Sequence, residues 1–382
     1  MKKTLLLSLA ATAAATTASF ASFTAGDLVV YRVGTGTGTL SSASQAIFLD
    51  EYTTAGSLVQ SIAIPTTGTN MLTSNGTASS EGFLNLSPDG SYLTVPGYSA
   101  TTGVTAINGT TAAANPRAAL IYDSTGAVTN EVTFTGQFSA GNIRSAVSLD
   151  GTNAYATGSN TGLVYNSTII STTGTNLRVG SIQGGQLYTS TSSGALRLAT
   201  VGTGTPTTSP QTAVNLPGFP TSGGSPYAYA FADLSTSVSG LDTLYVADDG
   251  GSAGIQKYSL VGGNWTLNGT VTASSVRGLT LSVNATTGAV SLFGSTGGTG
   301  ATGGGTLYAF TDLTGYNGAF SGTATSIATA STNEAFRGIA YTPGTSVNIV
   351  FVSVPEPQEY AVALAGLLGV VIFVRRRKAA QF

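Results

Sequence analysis

The 382-residue chain contains no cysteine and no histidine. Without cysteine it forms no disulfide bonds, so an exported form of the chain must rely on its core for stability. The two absences together exclude Ser-His-Asp and Cys-His catalysis and zinc sites built from histidine or cysteine. Composition alone therefore rules out these classes of function.

Charged residues are also scarce and make up 8% of the chain. Residues 22–353 carry 14 acids and eight bases, so the net charge of this central body is −6. Proteins that hold nucleic acids through phosphate contacts need clusters of lysine and arginine. The sequence therefore predicts no nucleic-acid partner.

The chain is rich in small and strand-forming residues. It contains 51 glycines, and 41% of its residues are hydrophobic. Disorder would require lower hydrophobicity and more charge. Threonine, valine, tyrosine and phenylalanine favour pleated strands, and pairs such as Asn108-Gly109 and Asn268-Gly269 favour tight turns. We therefore expect an all-β body.

The amino-terminal residues have the order of a secretory signal peptide. Lys2 and Lys3 precede a mostly apolar run at 5–15, and Ser19-Phe20-Ala21 offers a small-residue cleavage site. Residues 1–21 are therefore predicted to be a signal peptide. The mature chain would begin near Ser22, and the protein is expected to be exported to the cell envelope, the cell surface or the medium.

The carboxy-terminal residues 354–382 also have a specific order. Pro355, Glu356 and Pro357 precede an apolar stretch at 360–374, which is followed by the basic residues Arg375-Arg376-Arg377-Lys378. As a helix, the apolar stretch would span roughly 22 Å, which is short of the roughly 30 Å hydrocarbon core of a bilayer. Because basic residues stay on the cytoplasmic side, a transmembrane helix at 360–374 would leave the body outside.

This segment resembles the sorting signal of PEP-CTERM proteins, in which a Pro-Glu-Pro motif precedes a membrane helix and an arginine-rich end. The resemblance covers residues 354–382 only. It implies processing by an exosortase, a membrane transpeptidase that cuts near the motif and releases the protein or transfers it to the cell surface. It also implies that the helix holds the protein in the membrane before processing. The alternative is an ordinary tail anchor.

The body contains six copies of a two-strand hairpin with a recurring first strand, as in Val276-Arg277-Gly278-Leu279. The copies start at Glu81, Ile143, Leu177, Tyr229, Val276 and Phe336. Several are followed by a third and a fourth strand, as expected for the blades of a β-propeller. The last copy, with its second strand predicted at 347–352, lacks outer strands.

Strands at 28–33, 46–52 and 58–64 lack an inner hairpin, so we expect them to complete the last blade. This predicts a six-bladed propeller across residues 22–353, closed by its N-terminal strands and leaving no long open sheet edge. The alternatives are seven blades, a β-helix or a pair of sandwiches.

Arginines recur at or near the start of the predicted inner strands. They are Arg144, Arg178, Arg277 and Arg337. If they converge on the central channel, they would form a cationic mouth suited to carboxylates, sulfates or acidic sugars. In the alternative, they pair with acids such as Glu81, Asp233 and Glu334 and fix the packing of the blades.

Two loop features on the same face are candidate ligand sites. Asp248 and Asp249 could present oxygens to Ca²⁺, although two adjacent acids are few ligands for this ion and a solvated turn is the favoured explanation. The glycine-rich segment at 297–305 lacks the Gly-Lys-Ser/Thr ending and the following helix of a phosphate loop, so that interpretation is rejected. No other cofactor is expected.

These features favour a non-catalytic surface or extracellular-matrix protein that binds a glycan, such as an exopolysaccharide, or another surface protein. The first alternative is a polysaccharide hydrolase or lyase that uses Asp248 or Asp249 with another loop carboxylate. The second is a passive structural component of the envelope.

Overall fold

A computed structural model describes residues 22–251, 253–298 and 300–352. The predicted signal peptide at 1–21 and the whole predicted sorting segment at 354–382, with its transmembrane helix at 360–374, lie outside these ranges. Within them the chain is almost entirely β, with 26 strands and one short 3₁₀ helix. In this part of the chain, no helix is long and apolar enough to cross a membrane.

The first third of the described chain supplies eight strands. They are β1 (Leu28–Val33), β2 (Ser44–Tyr52), β3 (Leu58–Ala63), β4 (Thr73–Asn75), β5 (Asn85–Leu86), β6 (Leu93–Tyr98), β7 (Arg117–Tyr122) and β8 (Val128–Phe134). The 3₁₀ helix (Ile107–Gly109) lies in the loop between β6 and β7.

The middle of the chain forms three antiparallel four-stranded sheets. The first contains β9 (Ile143–Ser148), β10 (Ala154–Gly158), β11 (Leu163–Tyr165) and β12 (Thr168–Ser171). The second contains β13 (Gly180–Gln183), β14 (Gln186–Ser190), β15 (Leu198–Val201) and β16 (Ala213–Asn215). The third contains β17 (Pro226–Ala232), β18 (Thr243–Asp248), β19 (Gly254–Val261) and β20 (Asn264–Thr272).

The last strands are β21 (Val276–Val283), β22 (Val290–Thr296), β23 (Gly303–Gly304), β24 (Thr306–Asp312), β25 (Thr325–Thr329) and β26 (Glu334–Tyr341). A fourth four-stranded sheet has the order β21-β22-β24-β25. The remaining strands belong to one ten-stranded sheet, in which β4 joins two groups of four, β26-β1-β2-β3 and β5-β6-β7-β8. This propeller-like arrangement of four-stranded units confirms the predicted all-β fold class.

The two ends of the body meet in the ten-stranded sheet. β1 lies between β2 and β26 and is antiparallel to both, with Val29 opposite Ala340. The N-terminal strands therefore lie beside the last inner strand, as the missing outer strands suggested. The second strand predicted at 347–352 was wrong. β1 takes that place on β26, and Val350 instead forms an isolated parallel bridge with Asp233 of another sheet.

Glycine recurs in the inner strands because their backbones approach each other closely. A Cβ on Gly338 of β26 would collide with the Gly82 carbonyl oxygen, and one on Gly278 of β21 would collide with the Ser295 hydroxyl. Gly338 also donates a backbone hydrogen bond to Gly82. In the Arg-Gly pairs of the repeat, the arginine is thus followed by a residue small enough for close strand packing.

Candidate functional site

The candidate site lies where the inner strands of several sheets begin. Arg144 and Arg277 are the second residues of β9 and β21, and Arg178 lies two residues before β13. All three are partly exposed, whereas Arg337 of β26 is 2% exposed. Arg178 and Arg277 lie over one tyrosine ring, Arg144 lies near enough to Arg178 for their charges to interact, and we call this region the arginine mouth.

Tyr227 is the centre of the arginine mouth. The guanidinium carbon of Arg178 lies 3.8 Å from the centroid of its ring, and that of Arg277 lies 4.7 Å away. The Phe83 ring, from a different sheet, packs against Tyr227 at a centroid distance of 5.5 Å. Cation–π attraction allows the two positive groups to lie near each other on one aromatic side chain.

Asp249 is held in this region through one oxygen. Arg277 donates to Asp249 Oδ2 from Nε at 2.7 Å and approaches it from Nη2 at 2.6 Å. Arg277 Nη1 also donates to the Ser79 carbonyl oxygen at 3.1 Å and to the Ser79 hydroxyl. Within the described ranges, Asp249 Oδ1 has no hydrogen-bond partner. The carboxylate is therefore fixed in position but keeps one oxygen able to accept a proton or a hydrogen bond.

The other two arginines are positioned by neutral groups. Arg178 Nη1 donates to the Ser225 hydroxyl at 2.8 Å and to the Pro226 carbonyl at 3.0 Å. Arg144 Nη1 donates to the Asn176 side chain at 2.6 Å and to the Leu177 carbonyl at 3.0 Å. No acid takes up either charge among these contacts.

Burial and like charge act together on these arginines. Desolvation is the largest cause that lowers the pKa of Arg144 and of Arg178, and a neighbouring guanidinium lowers each of them further. The neighbour is Arg178 in the first case and Arg277 in the second. Because an arginine stays protonated in proteins, the mouth keeps its positive charge and suits an anionic group.

Arg337 has a structural position. Its Nη1 donates to the carbonyls of Gly298 and Phe336, and its Nη2 donates to the carbonyl of Gly76. Burial is the largest cause that lowers its pKa to about 10. Arg337 thus ties three backbone segments together and does not present its charge to solvent.

The acids proposed as arginine partners have other roles. Glu334 pairs with Arg32 of β1 at 2.8 Å, and Arg32 also pairs with Asp50 at 2.5 Å. Asp233 forms no ion pair within the described residues. The predicted pairing of the four arginines with Glu81, Asp233 and Glu334 was therefore wrong, because the arginines bond instead to carbonyls, neutral side chains and Asp249.

Glu81 is buried beside the mouth and is bound by hydrogen-bond donors. It accepts hydrogen bonds from the Tyr98 hydroxyl at 2.6 Å, the Asn75 backbone at 3.1 Å, the Ser74 hydroxyl at 3.2 Å and the Asn142 side chain. Burial, the largest cause, raises the pKa of Glu81, although these hydrogen bonds oppose it. At 2% exposure the carboxyl group is a packing element of the mouth.

Asp248 and Asp249 have different partners, although they are adjacent. Asp248 accepts backbone hydrogen bonds from Ser225 and Gly250 and is 3% exposed, whereas Asp249 pairs with Arg277. Residues 22–251, 253–298 and 300–352 contain no group of three acids, histidines or cysteines arranged to hold a metal. Ca²⁺ binding by Asp248 and Asp249 remains a prediction.

Sequence reasoning missed Tyr227, Ser79 and Ser225. Tyr227 is the second residue of β17, the same strand position that Arg144 and Arg277 occupy in β9 and β21. The repeat in the sequence instead aligns from Tyr229. Because residues 226–232 form one mostly apolar run, the sequence pattern did not show at which residue the strand begins. The end of the preceding loop could have indicated that position.

Comparison with known proteins gives a fold likeness. No protein-family model matches the chain, and no curated protein matches it. A solved structure from Bacteroides uniformis, provisionally described as a 6-phosphogluconolactonase, is 13% identical, with 80% of this chain and 83% of the other covered and a TM-score of 0.41. The periplasmic gluconolactonase of Pseudomonas aeruginosa is also 13% identical, with 82% and 99% covered and a TM-score of 0.41.

The names of these neighbours differ from the predicted function. Both are named as lactonases, whereas the sequence led us to expect a non-catalytic glycan- or protein-binding propeller, with polysaccharide cleavage as its alternative, and that expectation is not carried further. The likeness at this level of identity concerns the fold alone, and residue roles must be argued from the site itself. The chain is thus similar, at a TM-score of 0.41, to two solved structures that are named as lactonases.

Proposed function

We propose that the arginine mouth hydrolyses a small lactone, the cyclic ester of a sugar acid. The observation that carries this proposal is the Asp249 carboxylate, which is fixed on Arg277 through Oδ2 and keeps Oδ1 without a partner among the described residues. Arg178 lies beside it over Tyr227. A base and two cations thus lie close together at the opening of the channel.

The chemistry of lactone opening fits these groups. Asp249 Oδ1 accepts a proton from water as the water oxygen attacks the ester carbonyl carbon. The carbonyl oxygen becomes an oxyanion, and the guanidinium groups of Arg178 and Arg277 stabilise its charge. The ring carbon–oxygen bond then breaks, the ring oxygen takes the proton back from Asp249 as a hydroxyl, and the carboxylic acid that forms loses its proton to solvent, which leaves a carboxylate next to the arginines. This reaction needs neither histidine nor cysteine, which the chain lacks.

The proposal is tested with glucono-δ-lactone and 6-phosphogluconolactone, the lactones that the names of the fold neighbours suggest. Loss of lactone is followed with hydroxylamine and iron(III), and the spontaneous rate of hydrolysis is subtracted.

We expect Asp249→Asn to lower kcat by about 100-fold, because general base catalysis contributes about 10²–10⁴-fold. Arg178→Met should raise KM for the phosphorylated substrate most strongly. Asp150→Asn, in an exposed turn at 150–153, is the matched control and should keep full activity.

Activity equal to the spontaneous rate in the wild-type protein, with both lactones, would overturn the proposal. Full activity in Asp249→Asn would also overturn it. Circular dichroism of each variant shows whether the fold is intact.

We further infer that the sheets close into a six-bladed ring. Support comes from hydrogen bonds between inner strands of successive units. Gly338 donates to Gly82, Phe83 donates to the Arg144 carbonyl, and Phe231 donates to the Gln183 side chain. The strand order β26-β1-β2-β3 supplies the sixth unit. A crosslink between β1 and β26, argued in the Discussion, tests this closure.

Export and sorting are proposed from the ends of the sequence. Residues 1–21 direct secretion, and Pro355-Glu356-Pro357 with the helix at 360–374 and Arg375, Arg376 and Arg377 form a PEP-CTERM signal for an exosortase. Mass spectrometry of the secreted protein should find an N-terminus near Ser22 and a C-terminus near the Pro-Glu-Pro motif. Replacement of the motif by Ala-Ala-Ala should leave the protein in the membrane, and normal release of that variant would contradict the proposal.

A further inference from the structure

A cavity of about 200 Å³ opens at the other end of the central channel. It is lined by residues of five inner strands, β5, β13, β17, β21 and β26, and Arg178, Tyr227 and Arg277 of the arginine mouth are not among its lining residues. Phe83 and Tyr227, which pack together and are 2% and 5% exposed, lie at the mouth end of the same strands. The cavity is therefore a separate compartment from the proposed lactonase site.

The lining of the cavity is neutral and mostly apolar. Leu84, Ile182, Phe231, Leu279 and Ile339 are among the residues that line it, and no charged residue lines it among the described residues. An anion such as a sugar acid would lose its hydration there without gaining a cation. The cavity thus suits a neutral ligand with a hydrophobic body.

Two polar atoms of the lining lack a protein partner. Asn85, which is 9% exposed, uses its amide nitrogen to donate to the carbonyls of Ala146 and Gly180, at 2.9 and 3.2 Å. In the described part of the chain, its Oδ1 has no hydrogen-bond partner, and neither has the hydroxyl of Thr280. By contrast, the side chain of the nearby Gln183 bonds to Tyr229 and Phe231. An accessible acceptor left open at the wall of a mostly apolar cavity can be satisfied by a ligand or a water molecule that donates to it.

We propose that this cavity binds a small, neutral, hydroxyl-bearing hydrophobic molecule. The hydroxyl group of the molecule donates a hydrogen bond to Asn85 Oδ1. A dry cavity of about 150 Å³ holds a benzene molecule, so this one takes roughly eight to ten non-hydrogen atoms. The Thr280 hydroxyl is the second polar contact, since it can donate to the oxygen of the ligand. The inference goes beyond the proposed lactonase function, because it concerns another site and another class of ligand.

The test measures binding of 4-ethylphenol and of ethylbenzene to the whole protein by ligand-observed NMR. We expect 4-ethylphenol to bind, and ethylbenzene to bind about tenfold more weakly because it leaves Asn85 Oδ1 unpaired. Thr280→Val keeps the shape of the side chain and removes a hydroxyl without a protein partner, so the stability should stay unchanged. Its affinity for 4-ethylphenol should fall about threefold to tenfold, while its affinity for ethylbenzene stays the same.

A second variant, Ala230→Leu, fills part of the cavity and should abolish binding of both compounds. Asp249→Asn, at the other end of the channel, should leave binding unchanged, so this result is independent of the lactonase test. Failure of 4-ethylphenol to bind would overturn the proposal and indicate a cavity filled only by water. Equal binding of the two compounds, or unchanged binding in a folded Ala230→Leu variant, would overturn it as well.

Discussion

The Lys257 ammonium lies 2.7 Å from the Asp312 carboxylate, and both side chains are completely buried between two sheets. Lys257 also donates to the Gly315 carbonyl at 2.6 Å, and the Tyr245 hydroxyl donates to Asp312 at 2.6 Å. Although burial raises the pKa of Asp312, the hydrogen bonds from Lys257 and its neighbours outweigh this effect, so the pKa lies below its usual value. Each buried charge of the pair is therefore stabilised by the other.

Removal of one partner should be more damaging than removal of both charges. Lys257→Met leaves an uncompensated buried carboxylate and should lower the free energy of unfolding by about 3–5 kcal/mol. In the double variant Lys257→Met/Asp312→Asn, the neutral amide still accepts a hydrogen bond from Thr314, so much of the loss should be regained. Urea unfolding measures both values. A double variant no more stable than the single one would contradict this account.

The close approach of inner strands predicts that Gly338→Ala is strongly destabilising. The added methyl group would meet the Gly82 carbonyl oxygen and the backbone of Leu84, which cannot move aside easily. We expect a loss of about 2–3 kcal/mol, because overpacking against backbone forces strands apart. Gly109→Ala is the matched control, since open space surrounds that position, and it should change stability by less than about 0.5 kcal/mol. Thermal unfolding of both variants separates the effects.

Pairing of the chain ends can be tested by a disulfide, since the protein has no cysteine of its own. Val29 and Ala340 are directly opposite in the antiparallel pairing of β1 and β26. Opposite residues in such pairs have Cα atoms about 4.5–5.5 Å apart, within the range that a disulfide spans. The variant Val29→Cys/Ala340→Cys should therefore oxidise to a closed form that migrates faster on a non-reducing gel. Two free thiols after oxidation, with each single-cysteine variant as reference, would exclude the pairing.

Arg337 should affect stability and not catalysis. Arg337→Met would leave the carbonyls of Gly76, Gly298 and Phe336 without their side-chain donor. Since each buried unsatisfied group costs about 1–3 kcal/mol, a loss of about 2–4 kcal/mol is expected after partial relaxation. Lactone hydrolysis per folded molecule should equal that of the wild type. A selective fall in kcat with unchanged unfolding would instead place Arg337 in the site.

The sequence predicted the repeated unit well, because apolar alternation and turn residues act locally. The start of β21 at Val276 and its Arg-Gly pair were visible in this way. The competition between distant strands for one place in a sheet was not visible in the sequence. β1, more than 300 residues from β26 in sequence, replaces the strand predicted at 347–352 because it pairs with β26 from Ala335 to Tyr341.

The positions of the arginines were likewise predictable from the repeat, but their hydrogen-bond partners were not. Ser79 and Asp249 reach Arg277 from loops whose paths depend on the complete fold.

Glu81 predicts a pH dependence of stability. Burial, the largest cause, raises its pKa in the folded protein above 4.5, its ordinary value. The folded state therefore holds a proton that the unfolded state has lost, so the free energy of unfolding should fall as pH rises from about 4.5 through the folded pKa. This sign is opposite to that of a salt-bridged carboxylate, whose contribution is lost as pH falls.

Glu81→Gln should remove this part of the profile. The amide of glutamine can donate to the Tyr98 hydroxyl while its oxygen accepts from the Asn75 backbone, so most of the hydrogen bonds survive. Urea unfolding between pH 4 and pH 8 should give a flatter profile for Glu81→Gln than for the wild type, and the variant should gain relative stability at the upper end. Glu131→Gln, on β8, is the control and should follow the wild-type profile. If Glu81→Gln also follows the wild-type profile, the proton is not held on Glu81 in the folded protein.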